Sequence, residues 1–481
     1  MKDALYVYGS TWELDFPVWK SSDPVNNKWE IAVDILNVGA WDPAFHYEEE
    51  EDQLFLYWGS SNEYPLLGTE IRTQDFQTTG KTRPIMQLHP EEHGWERFGE
   101  YNDNTFLNPF LEGAWVTKYH GKYYFQYAAP GTEFSGYADG VLVSEQPLGG
   151  FRYQKHNPFS YKPGGFARGA GHGSTFQDLH DNYWHVSTMV ISVKNNFERR
   201  IGIWPAGFDQ DDVMFCNTAY GDYPTYLPEE AKDKDFTRGL FTGWMLLNYQ
   251  KPVQVSSTLG GFKANFAVDE NIKTYWSAKT SNSGEWIQTD LGARSTIHAI
   301  QINYADQEAE FMGKTLGKTH QYRIHGSDDG LNWKLLVDKS QQQADRPHDY
   351  SELESPVHYR YLKLENISIP TGKFAISGFR IFGKGPGLPP GEVEDFTVLR
   401  TPPEKAGNRL SSWLKWKQNH LADGYHIYFG KHPDKLYGSM MVYNANEYYF
   451  TGMDRADAYY FQIEAFNENG ISQRSEVVHA R

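Results

Sequence analysis

The chain has 481 residues with a formal net charge of -17; 22% of its residues are charged and 16% aromatic. The length is too great for one hydrophobic core, so two to four domains are expected. The acidic balance, with no cluster of Lys and Arg, argues against nucleic acid as a partner. No run of about 18 apolar residues predicts a membrane span, and the single cysteine, Cys216, excludes an internal disulfide framework.

An internal repeat places Asp42, Glu112 and His172 at matching positions, at intervals of 70 and then 60 residues. Each of the three is followed by an aromatic-rich run, at 54–58, 123–127 and 183–187. Repeats of this kind predict β-propeller blades, whose innermost strands all face one central axis. We therefore expect the three residues to meet in space. Two carboxyl groups and a histidine at an aromatic-lined axis indicate sugar chemistry.

The first repeat is shorter than the others. Residues 5–10 match residues 55–60 of the next repeat, so the counterpart of Asp42 in the first repeat would precede Met1. We expect this repeat to have lost its innermost strand and one candidate catalytic group with it.

Helical periodicity is nearly absent, and short alternating or aromatic runs separated by Gly, Pro, Asn and Asp predict an all-β protein. Three regions differ in their sequence patterns. Residues 1–246 carry the repeat and are the expected propeller, and residues 247–384 are expected to form a β-sandwich jelly roll. A Gly- and Pro-rich linker at 385–392 leads to a last strand-rich unit at 393–481.

The repeat region resembles glycoside hydrolase family 43, which consists of five-bladed β-propellers. The resemblance is carried by several segments in the family's order, which are Val18–Pro24 with Trp29, Trp41–Pro43, Leu111–Ala114, Val143–Phe151 and Gly171–Ser174. It implies an exo-acting, inverting hydrolase that releases a non-reducing terminal sugar from a plant-type polysaccharide. The β-xylosidase and α-L-arabinofuranosidase types fit it, and a galactosidase stays open.

The resemblance also implies roles for the repeated residues. Glu112 would be the general acid, and Asp42 would orient it and raise its pKa. His172 would bind substrate below the sugar and could hold a calcium ion through a water molecule. The structural alternatives are a strand-end glutamate, a turn aspartate before proline and a hydrogen-bonded core histidine.

The catalytic base is expected on the absent strand, upstream of Met1. No aspartate near either end of the region stands at the repeat-matched position, and those considered are Asp15, Asp23, Asp34, Asp209, Asp211 and Asp212. General base assistance contributes about 10²–10⁴-fold to rate. We therefore expect this chain to be inactive or nearly so, and the longer gene product to be active. No signal peptide is visible in this chain.

Three more residues are candidate substrate contacts. Trp41 and Trp115 flank the two carboxyl positions and would either stack on the terminal sugar or pack the blades. Arg200 lies in the charged run 198–200. Its side chain would either reach the axis or belong to a solvated charge run.

The region 247–384 resembles the discoidin or coagulation factor 5/8 type C fold of family-32-like carbohydrate-binding modules. The segments that carry the resemblance are Ala267–Ser277, Trp286–Gly292, Tyr322–Gly330 and Tyr359–Leu364. Trp276 and Trp286 are expected in the core. Tyr304, Phe311 and His320 are candidate sugar contacts, and Asp269 with nearby carbonyls is a candidate structural calcium site. The module would either bind sugar or clamp the propeller.

Residues 393–481 resemble a fibronectin type III domain. Trp413 and Trp416 would lie on its second strand, Tyr425–Tyr428 on the third and Tyr459–Asn467 on the sixth. The sequence of this unit offers no candidate catalytic residues, and the unit is expected to be a spacer or packing module.

The leading interpretation is a bacterial glycosidase, periplasmic or extracellular, that acts on an oligo- or polysaccharide and requires no cofactor beyond a candidate structural Ca²⁺. One alternative is a non-catalytic carbohydrate-binding propeller with accessory modules. Another is a structural adhesin that uses its C-terminal modules. Retention of all three repeated residues argues against long decay of the site.

Overall fold

The structure is a computed structural model that describes residues 1, 4–9, 17–36, 38, 41–190, 199–310, 317–401 and 409–481. Within these residues, nearly all regular secondary structure is β-strand. The exceptions are one short α-helix, α1 (Pro228–Ala231), and four 3₁₀ turns, which are Pro24–Asn26, Gly94–Glu96, Phe236–Arg238 and Ala264–Val268. The all-β prediction is confirmed.

Four antiparallel sheets follow one another along the first 216 residues. The first sheet has three strands, β1 (Leu5–Val7), β2 (Val18–Asp23) and β3 (Lys28–Val33). The second holds β4 (Ala44–Glu48), β5 (Gln53–Trp58), β6 (Leu66–Ile71) and β7 (Arg83–Met86). The third holds β8 (Glu112–Tyr119), β9 (Lys122–Ala129), β10 (Ala138–Ser144) and β11 (Arg152–Tyr153). The fourth holds β12 (Arg168–Gln177), β13 (Tyr183–Val190), β14 (Arg199–Phe208) and β15 (Met214–Cys216).

These sheets are propeller blades. In each four-stranded sheet the strands pair in sequence order, as in a meander. Strand β8 contacts both β4 and β12, so the first strands of successive blades lie side by side. The aromatic runs that follow the repeated residues form β5, β9 and β13. The propeller prediction is confirmed, and the first strands surround a common axis.

The first and last blades differ from the middle ones. Strand β1 aligns with β5, the second strand of its blade, and pairs with β2 alone among the described residues. After β15, the described residues up to 244 contain α1 and the isolated bridge between Thr225 and Phe241. The described residues therefore form four blade sheets, and the segment 217–244 takes the fifth place in chain order.

The second region is a curled sheet of eight strands in the order β16-β23-β19-β22-β20-β21, with β17 beside β19 and β18 beside β23. The strands are β16 (Met245–Leu246), β17 (Val253–Val255), β18 (Trp276–Ser277), β19 (Trp286–Tyr304), β20 (Gln321–Ser327), β21 (Lys334–Asp338), β22 (His348–Ser368) and β23 (Ala375–Lys384). Register shifts at 290–295 and 297–299 let the long strand β19 bend between faces of the sandwich. Trp276 is fully buried in the core, as predicted.

The last region is a sandwich of two sheets, with order β24-β25-β28 in one and β27-β26-β29-β30 in the other, where β31 joins β29. Its strands are β24 (Thr397–Arg400), β25 (Ser412–Lys415), β26 (Gly424–Gly430), β27 (Gly438–Tyr443), β28 (Glu447–Phe450), β29 (Tyr460–Asn467), β30 (Gly470–Ile471) and β31 (Val478–His479). Alternation along β25 buries Leu414 and leaves Trp413 at the surface. The fibronectin type III assignment stays a prediction.

A buried charge network joins the three regions. Arg380 on β23 donates two hydrogen bonds of 2.8 Å to Glu270 and one of 2.6 Å to the backbone carbonyl of Asp222. The ammonium group of Lys162, in the propeller, lies 3.1 Å from the Asp222 carboxylate. Tyr443, in the last region, donates to Glu270 at 3.1 Å. The four charged side chains are at most 5% exposed, so each charge depends on its partners.

Replacing Arg380 by Met should lower the free energy of unfolding by about 3–5 kcal/mol, because it leaves the Glu270 carboxylate buried without its cation and leaves Asp222 with Lys162 alone. Urea unfolding followed by tryptophan fluorescence measures the change. The control is Arg360→Met, which breaks a half-exposed ion pair with Asp290 and should cost about 0–1 kcal/mol. An equal cost for both variants would contradict the importance of the network.

Candidate active site

The repeated residues meet at the propeller axis. Asp42 lies two residues before β4, the first strand of the second blade. Glu112 begins β8, and His172 lies within β12. Side-chain ligand atoms of all three lie within 4.8 Å of one another. The convergence that the repeat predicted is therefore present in the structure.

Local backbone geometry brings the inner strands this close. Asp42 and His172 both have left-handed backbone conformations, with φ of 48° and 53°. Gly113, next to Glu112, has a φ of 69°, and a Cβ atom there would lie 3.0 Å from the Cα of His172. Glycine is required at this position by both its conformation and the close approach of two blades.

Glu112 is the centre of the group. Its Oε1 accepts a short hydrogen bond from the hydroxyl of Tyr137, and its Oε2 accepts one of 3.3 Å from Ser60. The His172 Nδ1 lies 3.9 Å from the same Oε2. An oxygen of Asp42 lies within 4.8 Å of a Glu112 oxygen. Only 12% of the Glu112 side chain is exposed, so its contacts act in a water-poor environment.

The pKa values of the two carboxyl groups are shifted in opposite directions. Burial raises the pKa of Asp42, and the negative charge of Glu112 raises it further against the opposing effect of His172. Burial also acts to raise the pKa of Glu112, but the neighbouring His172 and the hydrogen bond from Tyr137 lower it by more. Two adjacent buried carboxyls cannot both ionise readily.

A buried polar cluster holds His172 in place. The Asp139 carboxylate accepts hydrogen bonds from the backbone N–H groups of His172 at 2.7 Å and Gly173 at 2.9 Å. It also lies 3.0 Å from the His185 Nε2, and both of these side chains are fully buried. Thr175 lies 3.1 Å from the other ring nitrogen of His185. Asp139 therefore fixes the backbone at His172 and Gly173 through these two hydrogen bonds.

Sequence reasoning missed Tyr137, Asp139 and His185. The one sequence signal for them is that Asp139 and His185 are polar residues inside runs that otherwise alternate as blade strands. Such a pattern marks a buried polar pair, but it does not identify the partner.

The two candidate tryptophans have structural contacts. The indole N–H of Trp115 donates to the backbone carbonyl of Thr175 at 3.0 Å, which joins the third and fourth blades. The backbone carbonyl of Trp41 accepts from Gly59 at 2.8 Å. Both residues are half-buried, and stacking on a sugar stays a prediction for each.

The charge of Arg199 acts on the axis group. Its positive charge helps to lower the pKa of Glu112. The charge of Arg200 acts instead on His348 in the second region, whose pKa it helps burial to lower. Adjacent residues of a strand point to opposite faces, so sequence could not decide between them. Glu198 lies outside the described residues.

None of the described aspartates considered as a base has a partner at the axis. The first, Asp23, binds Asn26 and Lys28 within the β2–β3 turn. Those after β14 bind outward partners, namely Lys435 and Tyr437 for Asp209, Lys435 for Asp211, and His120 and Lys122 for Asp212. Asp34 follows β3. Asp15 lies outside the described residues.

The candidate calcium ligands are differently placed. The axis group offers two carboxylates and an imidazole within 4.8 Å of one another, a set that could hold a cation, and the calcium role of His172 stays a prediction. The oxygens of Asp269 accept from the Asn271 N–H at 3.0 Å and the Thr274 hydroxyl at 2.7 Å. Burial raises the pKa of Asp269 to about 6, and a structural calcium there stays a prediction.

Two of the sugar-contact candidates of the second region, Tyr304 and His320, are buried. Tyr304 is 6% exposed and packs in the core, with its ring centroid 4.2 Å from that of His320. Phe311 lies outside the described residues. A sugar site in this module stays a prediction.

Comparison with protein families assigns the first two regions. Residues 6–214 match the model of glycosyl hydrolases family 43. The chain contains a family 43 glycoside hydrolase domain. Residues 252–377 match the F5/8 type C domain. Both resemblances are confirmed, and the protein is a glycoside hydrolase by its family 43 domain. None of the curated protein sequences matches the chain.

Several solved structures are similar to parts of the chain. A glycoside hydrolase is 18% identical, with a TM-score of 0.43 over 79% of this chain and 82% of that chain. An endo-1,4-β-xylanase from Bacteroides thetaiotaomicron is 19% identical, with a TM-score of 0.37 over 45% and 71%. A family 32 carbohydrate-binding module from C. perfringens in complex with galactose is 20% identical, with a TM-score of 0.24 over 29% and 98%. At these TM-scores the likenesses say nothing about the substrate of this chain.

The Glu112 carboxylate should hold the pKa of His172 above its usual value of about 6.5, since its charge and hydrogen bond outweigh burial, which lowers the pKa. The stability that this interaction supplies is fully present below about pH 6.5 and is lost as pH rises through the raised folded pKa. NMR titration, with the resonance assigned through His172→Gln, measures the midpoint.

The variant Glu112→Gln should lower that midpoint. The control Glu91→Gln removes the exposed partner of His89, 3.2 Å away, and should leave the His172 midpoint unchanged. A His172 midpoint that Glu112→Gln does not move would show that the two groups are not coupled.

Proposed function

We propose that the family 43 domain is an exo-acting, inverting glycosidase that releases a non-reducing terminal sugar, of the β-xylosidase or α-L-arabinofuranosidase type, with a galactosidase as the remaining choice. The observation that carries the proposal is the convergence of Asp42, Glu112 and His172 at the axis within 4.8 Å. The extracellular or periplasmic space is the proposed location, since that is where polysaccharide substrates occur. None of the described helices is long and apolar enough to cross a membrane.

Glu112 is the proposed general acid. In this role it delivers a proton to the glycosidic oxygen as the bond breaks. Asp42, whose pKa is raised by burial and by the charge of Glu112, is the proposed partner that tunes the acid. The ionic and hydrogen-bonding contacts of Tyr137 and His172 fix the orientation of Glu112. Proton delivery of this kind contributes about 10²–10⁴-fold to rate.

The spacing of the pair supports these roles. An acid and base of an inverting enzyme stand about 6.5–9.5 Å apart, because a water molecule lies between the base and the sugar. An oxygen of Asp42 and one of Glu112 lie within 4.8 Å of each other, which is too close for such a pair. Asp42 therefore serves Glu112 as a partner, and a third carboxylate is needed as the base. Asp139 is excluded as that group by its complete burial.

The proposed base lies on a strand that would be the innermost strand of the first blade. That strand would pair with the edge of β1 opposite β2. Strand β1 pairs with β2 alone among the described residues, and the aligned strand β5 pairs with the axis strand β4. An axis strand beside β1 would place a carboxylate opposite Glu112. The chain without this strand is proposed to turn over slowly.

Extending the chain upstream by one strand should raise kcat/KM on nitrophenyl β-xyloside, α-arabinofuranoside or β-galactoside by about 10²–10⁴-fold, because it supplies the base. Asp15→Asn in the original chain is the matched control and should leave the slow rate unchanged. Equal turnover by the two forms, or loss of turnover in Asp15→Asn, would overturn the assignment of the base. No turnover by either form would favour a sugar-binding protein without catalysis.

The variant Glu112→Gln in the extended form should lose activity on an oligosaccharide by about 10²–10⁴-fold, and much less on a nitrophenyl glycoside. Nitrophenolate leaves with little protonation, so the cost of removing the acid depends on the leaving group. Steady-state kinetics on both substrates measure the two losses. Equal losses on both substrates would show that Glu112 acts other than as the proton donor.

A further inference from the structure

A cleft opens where the three regions meet. It has a volume of ≈ 780 Å³, within the range of about 300–1,000 Å³ that is typical of ligand sites. The propeller contributes Tyr101 and Arg168, the F5/8 type C region contributes Asn271, and the last region contributes Trp413 and Tyr449. Neither Asp42, Glu112 nor His172 lines it, so this junction cleft is separate from the propeller axis.

The aromatic wall of the junction cleft is exposed and pre-arranged. Trp413 and Tyr449 are paired residues on β25 and β28, with ring centroids 4.6 Å apart, and are 41% and 37% exposed. The Tyr449 hydroxyl is held by Ser411 at 2.8 Å, which orients its ring. Tyr101, 71% exposed, faces the cleft from the propeller. Flat apolar rings with polar edges suit the C–H faces of a sugar.

The polar lining favours a neutral ligand. The lining carries several carboxylates, which are Glu100, Asp103, Asp269, Glu270 and Glu447, and the cation Arg168. Three of the carboxylates pair with cations outside the lining, namely Lys273, Arg380 and Lys415, which leaves Asp103 and Asp269 as the acidic groups. An acidic cleft repels polyanions, whereas carboxylates and amides accept and donate hydrogen bonds to hydroxyl groups. The Asp103 and Asn444 side chains make no hydrogen bond within the described part of the chain, so both are available to a ligand.

The cleft has a rigid base. Its lining includes Glu270 and Tyr443, which belong to the buried charge network with Arg380. Thr451, which also lines it, donates a short hydrogen bond to the backbone carbonyl of Tyr101 and so ties two regions together across the cleft. A site whose walls are fixed before binding loses little conformational entropy when a ligand enters.

We propose that the junction cleft binds a segment of neutral oligosaccharide by stacking on Trp413 and Tyr449, as a second carbohydrate site apart from the catalytic axis. The ligand class rests on the glycoside hydrolase domain, and the site itself uses none of the proposed catalytic residues. Binding here would hold a polysaccharide chain on the protein while the propeller acts on a chain end.

Isothermal titration of the full chain tests the proposal, with linear hexasaccharides of xylose, arabinose and galactose as neutral probes and the galacturonic acid hexamer as an anionic one. The chain carries Glu112→Gln to prevent hydrolysis during the titration. At least one neutral probe should bind and the anionic probe should not. Trp413→Ala and Tyr449→Ala should each raise Kd by about threefold to tenfold.

The control is Tyr350→Ala, which removes an aromatic residue of similar exposure, 42%, outside the cleft and should leave Kd unchanged. Hydrogen exchange of the parent chain gives a readout that needs no aromatic variant, and the probe should protect residues 101–103 and 441–449. Absence of binding, a Kd that both aromatic variants leave unchanged, or protection confined to other segments would overturn the proposal. Residual hydrolysis by Glu112→Gln would count against the proposed acid but not against the cleft.

Discussion

The structure depends on the buried pairing of Arg380 with Glu270 and Asp222. Each of these charges would be costly to bury alone, and together with Lys162 they form a set of two cations and two anions. The carboxylates raise the pKa of Arg380 by more than burial lowers it, so the guanidinium stays charged. Since the partners come from different regions, the network holds the regions in one relative arrangement.

That arrangement has consequences for both carbohydrate-related sites. Residues 217–244, which follow the fourth blade in place of a regular sheet, contain Asp222 and are fixed by its contacts. The second and last regions therefore pack on the propeller beside residues 217–244. The junction cleft exists because the same contacts hold Trp413 of the last region near Tyr101 of the propeller. The last region, expected from sequence to be a spacer or packing module, contributes an aromatic wall.

At the propeller axis the governing constraint is a different one, which is the shortage of water around two carboxyl groups. Burial and the charge of Glu112 raise the pKa of Asp42. Family resemblance implied that Asp42 raises the pKa of Glu112. In the structure, His172 and Tyr137 lower the pKa of Glu112 by more than burial raises it.

The features that could be predicted from the sequence are those that depend on its periodicity. The repeat placed Asp42, Glu112 and His172 at blade starts, and alternating aromatic runs predicted the strands that follow them. Contacts between residues distant in sequence were beyond it, because no local pattern names the partner of Asp139 or Arg380. The face that β14 turns toward the axis is also set by the fold, so sequence alone left Arg199 and Arg200 open.

The most direct test of the account is the configuration of the first sugar released, followed by ¹H NMR during hydrolysis by the active form of the protein. If Asp42 is the partner of a general acid and a more distant carboxylate activates water, the anomeric configuration is inverted at first and equilibrates later. Carboxyls about 5–5.5 Å apart are instead typical of retaining enzymes. Release of the retained anomer would make Asp42 a nucleophile and would contradict the roles assigned here.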